Sequence, residues 1–251
     1  MAQQKGILPL QGTIGNVTFY KSKDGYLARE KGGVDAQRIA TDPAFQRTRE
    51  NGAEFGRAGK AGKLLRNAVR AFTQNASDSK MIGRLTRAMV RVIQADVTNS
   101  RGLRNVIDGE AELLTGFEFN ANGKLSTALY APFTATIDRV AGTLTAAIPA
   151  FVPVNMIAAP AGATHFRINS AGVEIDFEGN AYVVDSNSSA DLPWDNVLTT
   201  PLSLLNTVTA NSIHPLFLLL GIEFSQQVNG TLYPLKNGAF NALSLVEISG
   251  Q

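Results

Sequence analysis

The sequence contains no cysteine, one tryptophan and only two histidines. The absence of cysteine excludes disulfide bonds, thiolate nucleophiles and cysteine-based metal sites. His165 and His214 lie too far apart in the sequence to form a local pair of metal ligands. We therefore expect no metal and no cofactor, and the sequence indicates no small-molecule substrate.

The chain also lacks long apolar runs. Its most apolar stretch, residues 213–224, includes Pro215, Gly221 and Glu223 and is shorter than the roughly 20 residues that span a bilayer. The first residues contain no apolar segment typical of a secretory signal. We expect no membrane partner and synthesis in the cytoplasm, with lysis or export as the route into a virion or an extracellular assembly.

Catalytic motifs are absent as well. Residues 56–64 resemble a phosphate-binding loop, but the glycine spacing is one residue too long, and Leu64 stands where Ser or Thr would hold the metal. The sequence also lacks a Gly-x-Ser-x-Gly motif, whose serine would act as a nucleophile together with a histidine. We predict that the protein is not an enzyme and has no catalytic residues.

What the chain does have is a sorted charge. Residues 1–105 contain 19 Lys and Arg against 8 Asp and Glu, a net charge of +11, whereas residues 106–251 contain 4 against 13, a net charge of −9. Segregated charge of this size steers association with a partner of opposite sign. The candidates are a nucleic acid or an acidic protein surface, including that of a second copy.

The cations of the helical region recur at spacings of three and four, so each set lines one face of a helix. Between Phe55 and Ala95 the only acid is Asp78, whereas an ordinary solvated helix intersperses Glu with Lys. We predict two partner-binding basic stripes, formed by Lys60, Lys63, Arg66 and Arg70 and by Lys80, Arg84, Arg87 and Arg91.

An acidic counterpart is predicted in residues 173–178, where apolar and acidic residues alternate. In a strand, this alternation places Val173, Ile175 and Phe177 inward and the three carboxylates outward. We predict that Glu174, Asp176 and Glu178 form the acidic partner-binding face. A calcium site or an acid and base pair is the less favoured interpretation, because the loop glycine and ligand spacing of a calcium hand are missing.

The pattern of the chain predicts an α+β fold with three domains. Residues 1–40 form an arm with a β-hairpin at 13–30, closed by an Asp-Gly turn at 22–25. Residues 41–114 form a basic helical hairpin that starts at Asp42 and Pro43, with helices over 43–75 and 77–98. Four glycines at 52–62 predict a break in the first helix; the alternative is a glycine face that another backbone approaches closely.

Residues 115–251 form the third domain, an antiparallel β-sandwich, because short β-rich runs follow one another without amphipathic helices between them. The predicted strands cover residues 116–119, 125–130, 133–137, 143–148, 165–168, 173–177, 202–208, 216–224, 231–235 and 243–248. Residues 149–160 and 185–195 are predicted loops, and the second of these contains Trp194.

Several short motifs resemble an uncharacterised family of Bacteroidota proteins. They are Lys5-Gly6-Ile7-Leu8, Gly12-Thr-Ile-Gly15-Asn-Val-Thr-Phe-Tyr20, Gly25-Tyr-Leu-Ala-Arg29 and Gln46-Arg47-Thr48-Arg49. Members of that family pair a Gly-rich basic N-terminal segment with a β-sandwich. The resemblance covers about the first 70 residues by motif, and it implies a non-enzymatic protein linked to phage or phage-like assemblies.

Three functions remain open from the sequence. The first is a structural protein that self-assembles head-to-tail as a homo-oligomer, in a filament or a phage-like particle, through the basic helices and strand addition by the arm. The second is sequence-independent nucleic-acid binding by the same cations. The third, carbohydrate binding on the sandwich, depends on Trp194 alone.

Overall fold

The computed structural model describes residues 2–4, 9–22, 25–30, 32–235 and 240–250. The chain divides into two compact units, Met1–Arg49 and Glu50–Gln251. Residues 5–8 of the family motif and residues 23 and 24 of the predicted turn lie outside the described residues.

The first unit contains a four-stranded antiparallel sheet in the order β1-β4-β3-β2. Strands β3 and β4 pair from Val17 with Glu30 to Ser22 with Gly25, which confirms the predicted hairpin. The strands are β1 Ala2–Gln3, β2 Gly12–Ile14, β3 Val17–Ser22 and β4 Gly25–Glu30.

Helix α1 (Ala36–Thr41) and a 3-10 turn (Pro43–Phe45) follow the sheet. The Asp42 carboxylate accepts a hydrogen bond from the Ala44 N–H at 2.9 Å, so Asp42 caps this turn as the sequence predicts. The main helix, α2 (Gln46–Ala68), begins at once after it.

The predicted break in α2 is wrong, because the helix continues through Gly52, Gly56, Gly59 and Gly62. Its inward face buries Ala58, Ala61, Leu64 and Leu65 in a hydrophobic cluster. This burial offsets the low helix propensity of glycine, about 1 kcal/mol per residue. Propensity alone therefore underestimated the continuity of α2.

Two further helices complete the basic region: α3 (Arg70–Thr73) and α4 (Met81–Gln94). Helix α4 is shorter than the predicted 77–98, but its buried residues are those that the helical spacing indicated, namely Met81, Leu85, Met89, Val92 and Ile93. A 3-10 turn at Ala111–Leu114 leads into the β-rich part.

The predicted strand at 125–130 is wrong, since Leu125–Ala128 forms a short helix, α5. Leu125, Ala128 and Leu129 are all buried, at positions i, i+3 and i+4, which is the spacing of one helix face. A second short helix, α6 (Pro153–Met156), lies in the predicted loop 149–160.

The β-rich part contains two antiparallel sheets. The smaller has the order β10-β6-β5, with β5 at Thr134–Asp138, β6 at Thr143–Ile148 and β10 at Leu202–Thr207. The larger has six strands, which are β7 His165–Asp176, β8 Ala181–Ser188, β9 Leu192–Pro193, β11 Leu216–Val228, β12 Thr231–Pro234 and β13 Ala242–Ser249.

Strand β11 is the centre of the larger sheet. It pairs with β7 along one edge and with β13 and β12 along the other. The predicted strands at 165–168 and 173–177 belong to the one strand β7, and β8 was missed because Asp185 to Ser188 has the composition of a loop.

Two hydrophobic clusters lie on opposite sides of β11. Phe217 and Leu219 belong to the cluster that includes α2 and α4, whereas Leu216, Leu218 and Leu220 belong to the cluster that includes β6 and β10. The helices and the larger sheet thus share one core, and Glu50–Gln251 forms one unit. The fold is α+β with a β-rich C-terminal part. The domain boundaries predicted at residues 40 and 114 stay predictions.

In the part of the chain that the structure describes, we find no helix of the length and apolarity that a membrane span requires.

The glycines of α2 provide a test of this account. A Cβ added at Gly56 would meet no atom within 4 Å, so Gly56→Ala should raise the free energy of unfolding by about 0.5–1 kcal/mol. Gly142 has a φ of +69°, and a Cβ there would lie 2.6 Å from the Val208 carbonyl oxygen, so Gly142→Ala should lower it by about 1–3 kcal/mol. Urea unfolding measures both; equal effects of the two substitutions would contradict the account.

Candidate partner-binding surface

The first predicted stripe is largely exposed. Lys60, Lys63 and Arg70 are exposed, and Arg66 is half-buried, with its Nε donating a hydrogen bond to the Gly62 carbonyl at 3.3 Å. The inward face of α2 is apolar except for Glu54, which is buried and paired with Arg104, so the cations of the stripe occupy the side that the core leaves free.

The second predicted stripe divides into two kinds of cation. Lys80, Arg87 and Arg91 are exposed. Arg84 is held within the chain, where it pairs with Asp78 and donates hydrogen bonds to the carbonyls of Glu118 and Phe119 at 2.6 and 3.1 Å. Its guanidinium also lies 5.2 Å from the centre of the Phe117 ring.

Asp78, the only acid between Phe55 and Ala95, is the partner of Arg84. Burial alone would raise the pKa of its carboxyl group, but hydrogen bonds from the N–H groups of Ala121 and Lys80 and from Arg84 outweigh burial and lower the pKa. The ionised carboxylate therefore fixes Arg84 against residues 118–121. Helical spacing cannot distinguish Arg84 from Arg87, because both belong to the same series of three and four.

We define the basic surface as the six exposed cations, Lys60, Lys63, Arg70, Lys80, Arg87 and Arg91. Within the described residues, none of their side chains forms a hydrogen bond or an ion pair. Exposed cations on a helix are ordinarily balanced by acids at i+4 or i−4. Here no Asp or Glu lies four residues before or after any of the six cations.

Three glycines lie on the same side of α2 as Lys63. Gly52, Gly56, Gly59 and Lys63 are spaced by four, three and four residues, which places them on one face. A Cβ at any of these glycines would meet no atom within 4 Å. The glycines are therefore not required by packing within the described chain, unlike Gly62, where a Cβ would lie 3.5 Å from Leu85.

The predicted acidic face is only partly present. Glu174 is buried, with an exposed fraction of 6%, so its predicted outward position is wrong. Ser212 Oγ and the Thr209 N–H donate hydrogen bonds to its carboxylate at 2.6 and 3.1 Å. Burial alone would raise the pKa of Glu174, but these hydrogen bonds outweigh it and lower the pKa. The physical reason is that the loop between β10 and β11 covers this face of β7.

The other two acids lie at the end of β7. Asp176 is half-buried and accepts hydrogen bonds from the N–H groups of Gly179 and Glu178, at 2.8 and 3.0 Å, which lower its pKa. It closes the turn into β8. Glu178 is exposed. A small cavity of about 200 Å³ beside this turn is lined by Glu174, Asp176 and His214.

Trp194 is half-buried against the cluster that includes β6 and β10, and its Nε1 donates a hydrogen bond to the Ile157 carbonyl at 3.3 Å. Part of the indole is thus used in packing.

The first unit contains none of the predicted site residues. None of the described residues of Met1–Arg49 is buried, although its sheet carries Ile14, Val17, Phe19 and Tyr26. Alternation along β3 was the available signal, since Val17 and Phe19 are one period of a strand apart.

Comparison with known proteins identifies no relative by sequence: no family model matches the chain, and no curated protein matches it. Among solved structures, a chain from a study titled "pH-induced modulation of Streptococcus parasanguinis adhesion by Fap1 fimbriae" aligns with a TM-score of 0.21 and 13% identity. The alignment covers 48% of this chain and 82% of that one. A similarity of this size supports no conclusion about fold or function.

The two kinds of cation should differ in their effect on stability. Arg84→Ala would leave the half-buried Asp78 without its charged partner, so we expect the free energy of unfolding to fall by about 1.5–3 kcal/mol. Arg87→Ala on the exposed side should change it by less than about 0.5 kcal/mol. Urea unfolding followed by Trp194 fluorescence measures both, and a stability loss of the same size in Arg87→Ala would show that the assignment is mistaken.

Proposed function

We propose that the chain is a non-enzymatic structural protein that assembles head-to-tail with copies of itself, as a component of a filament or a phage-like particle. The observation that carries this proposal is the basic surface, whose six cations have no partner within the described residues. Unbalanced like charges on neighbouring helices repel one another, and an acidic partner removes that cost.

The glycines on the outward face of α2 favour a protein partner. Each exposed glycine inside a helix lowers stability by about 0.5–1 kcal/mol relative to alanine, and no contact within the described chain requires Gly52, Gly56 or Gly59. A surface without Cβ atoms allows another polypeptide backbone to approach closely. Phosphate groups would be reached by the long Lys and Arg side chains without such a surface.

The acids of the C-terminal part supply the complementary charge. With Glu174 buried, the exposed acids include Glu110 and Glu178. In our proposal the basic surface of one copy meets a separate acidic surface of the next copy, and such heterologous contacts generate rings or open filaments. A β-sandwich arrangement of the two sheets, with sheet packing on sheet, would form the body of each subunit.

Nucleic acid is the second candidate, because the same unpaired cations suit phosphate and because Glu174 is withdrawn from the predicted acidic face. No stacking aromatic was predicted among the cations, so such binding would be independent of sequence.

Charge reversal on the basic surface tests the assembly proposal. The purified chain should form polymers at low salt in negative-stain images and in sedimentation, and Arg87→Glu/Arg91→Glu should raise the concentration needed for assembly by about tenfold or more. Lys124→Glu, at an exposed cation outside the basic surface, is the control. It is compared with the single variant Arg91→Glu, because both change the net charge by the same amount. A species that stays monomeric at all concentrations, or polymers unaffected by the double variant, would exclude assembly through the basic surface.

A gel shift with random-sequence DNA and RNA at physiological salt tests the second candidate. We expect no shift, because the basic surface binds protein in our proposal. A shift that is lost in Arg87→Glu/Arg91→Glu and retained in Lys124→Glu would instead assign the surface to nucleic acid.

A further inference from the structure

The sheet of the first unit has two chemically different faces. Paired residues of an antiparallel sheet share a face, so the register of β2, β3 and β4 assigns each side chain. One face, which we call the apolar face, carries Ala2, Ile14, Val17, Phe19, Tyr26 and Ala28. The opposite face carries Gln3, Thr13, Thr18, Tyr20, Leu27 and Arg29.

Contacts within the sheet agree with this assignment. On the apolar face, the Lys21 ammonium lies 5.6 Å from the centre of the Tyr26 ring. On the opposite face, the Arg29 guanidinium lies 5.7 Å from the centre of the Tyr20 ring, and the hydroxyl oxygens of Thr13 and Thr18 are 3.3 Å apart.

No described residue of the apolar face is buried. Ile14 is 65% exposed, and Val17, Phe19, Tyr26 and Ala28 are half-buried. A sheet is stable in water when one of its faces packs against another layer, and contiguous exposed apolar patches mark interaction sites. The described residues of Met1–Arg49 therefore leave the burial of the apolar face incomplete.

Two charges mark the ends of the apolar face. Glu30 pairs with Val17 at one end of the β3–β4 hairpin, and Lys21 pairs with Tyr26 toward the other end. Val17 and Lys21 are four residues apart, about 13 Å along an extended strand. Phe19 and Ala28, which pair with each other, lie between these ends. The face thus has an apolar centre, an anion at one end and a cation at the other.

We propose that this apolar face stacks on the same face of a second copy, around a twofold axis that lies between the two sheets, perpendicular to the strands and near Phe19. That rotation reverses the strand direction, so Lys21 of each copy lies over the end of the sheet that carries the other copy's Glu30. Stacked sheets are about 10 Å apart, and the Lys and Glu side chains together span that distance at the rim.

The charges select both the partner and its orientation. An axis along the strands would bring Lys21 toward Lys21 and Glu30 toward Glu30, which is repulsive. A nucleic acid would meet an apolar centre with one cation and one anion, which offers phosphate no net attraction. A strand added at the edge of the sheet would pair with backbone groups and leave the apolar face uncovered.

This contact goes beyond the head-to-tail assembly proposed above, because it is isologous and uses different residues. The test separates the two by working in the full chain with the Arg87→Glu/Arg91→Glu background, which removes the proposed basic contact. We expect a dimer in sedimentation equilibrium. If that background polymerises at the same concentration as the unmodified chain, the basic-surface proposal fails, while the substitutions below still test the stacked contact.

A charge exchange is the decisive experiment. Lys21→Glu alone and Glu30→Lys alone place like charges across both symmetry-related pairs, so each should weaken dimerisation by about tenfold. The double variant Lys21→Glu/Glu30→Lys restores opposite charges, so its dissociation constant should return to within about threefold of the parent value. The loss of affinity in the single variants should be smaller at high salt. A double variant as weak as the single variants would overturn the proposal, as would a parent that is monomeric.

Substitution at the centre provides an independent readout. Phe19→Asp buries a carboxylate at the proposed axis and should abolish the dimer, whereas Tyr20→Asp, an aromatic to Asp change on the adjacent residue of the opposite face, should retain it. Circular dichroism of both variants checks that the sheet persists. Equal loss of the dimer in both variants would count against the stacked contact.

Discussion

The two-sided burial of strand β11 is the constraint on which the second unit depends. Phe217 and Leu219 on one side and Leu218 and Leu220 on the other are all inaccessible to water, so each side needs its own covering layer. The helices supply one layer and the β6 and β10 strands the other. Because the inward residues of α2 and α4 belong to this core, the unpaired cations lie on the outward faces, and the one buried charge of these helices, Glu54, is paired with Arg104.

Local periodicity correctly predicted burial wherever the helix or strand that contains a residue determines which way its side chain faces. The spacing of Leu85, Met89 and Val92 identified the buried face of α4, and the β-rich run at residues 143–148 coincides with β6. Local periodicity gave the wrong environment where a distant segment of the chain buries the residue. Glu174 alternates with Val173 and Ile175 like any outward residue, but the loop carrying Thr209 and Ser212 covers it. No local pattern could indicate that loop, because it lies more than 30 residues away.

Distant contacts also explain why helical spacing predicted the basic surface only in part. A spacing of three and four residues correctly placed the cations on common faces, yet it treats Arg84 and Arg87 alike. Their roles differ because Asp78 and the carbonyls of Glu118 and Phe119 converge on one of them. The continuity of α2 through its glycines was missed for a related reason, since burial of Ala58, Ala61 and Leu65 is a tertiary contribution that propensity does not contain.

The uncovered sheet of the first unit also has a consequence for how folding depends on protein concentration. Because its described residues are at most half-buried within one copy, part of the hydrophobic contribution to its folding arises only when another surface covers it. By mass action, the ordered population of such a segment increases with the number of copies present. Dilute subunits would hold this sheet with little reserve of stability, and that reserve would grow as the concentration of subunits rises.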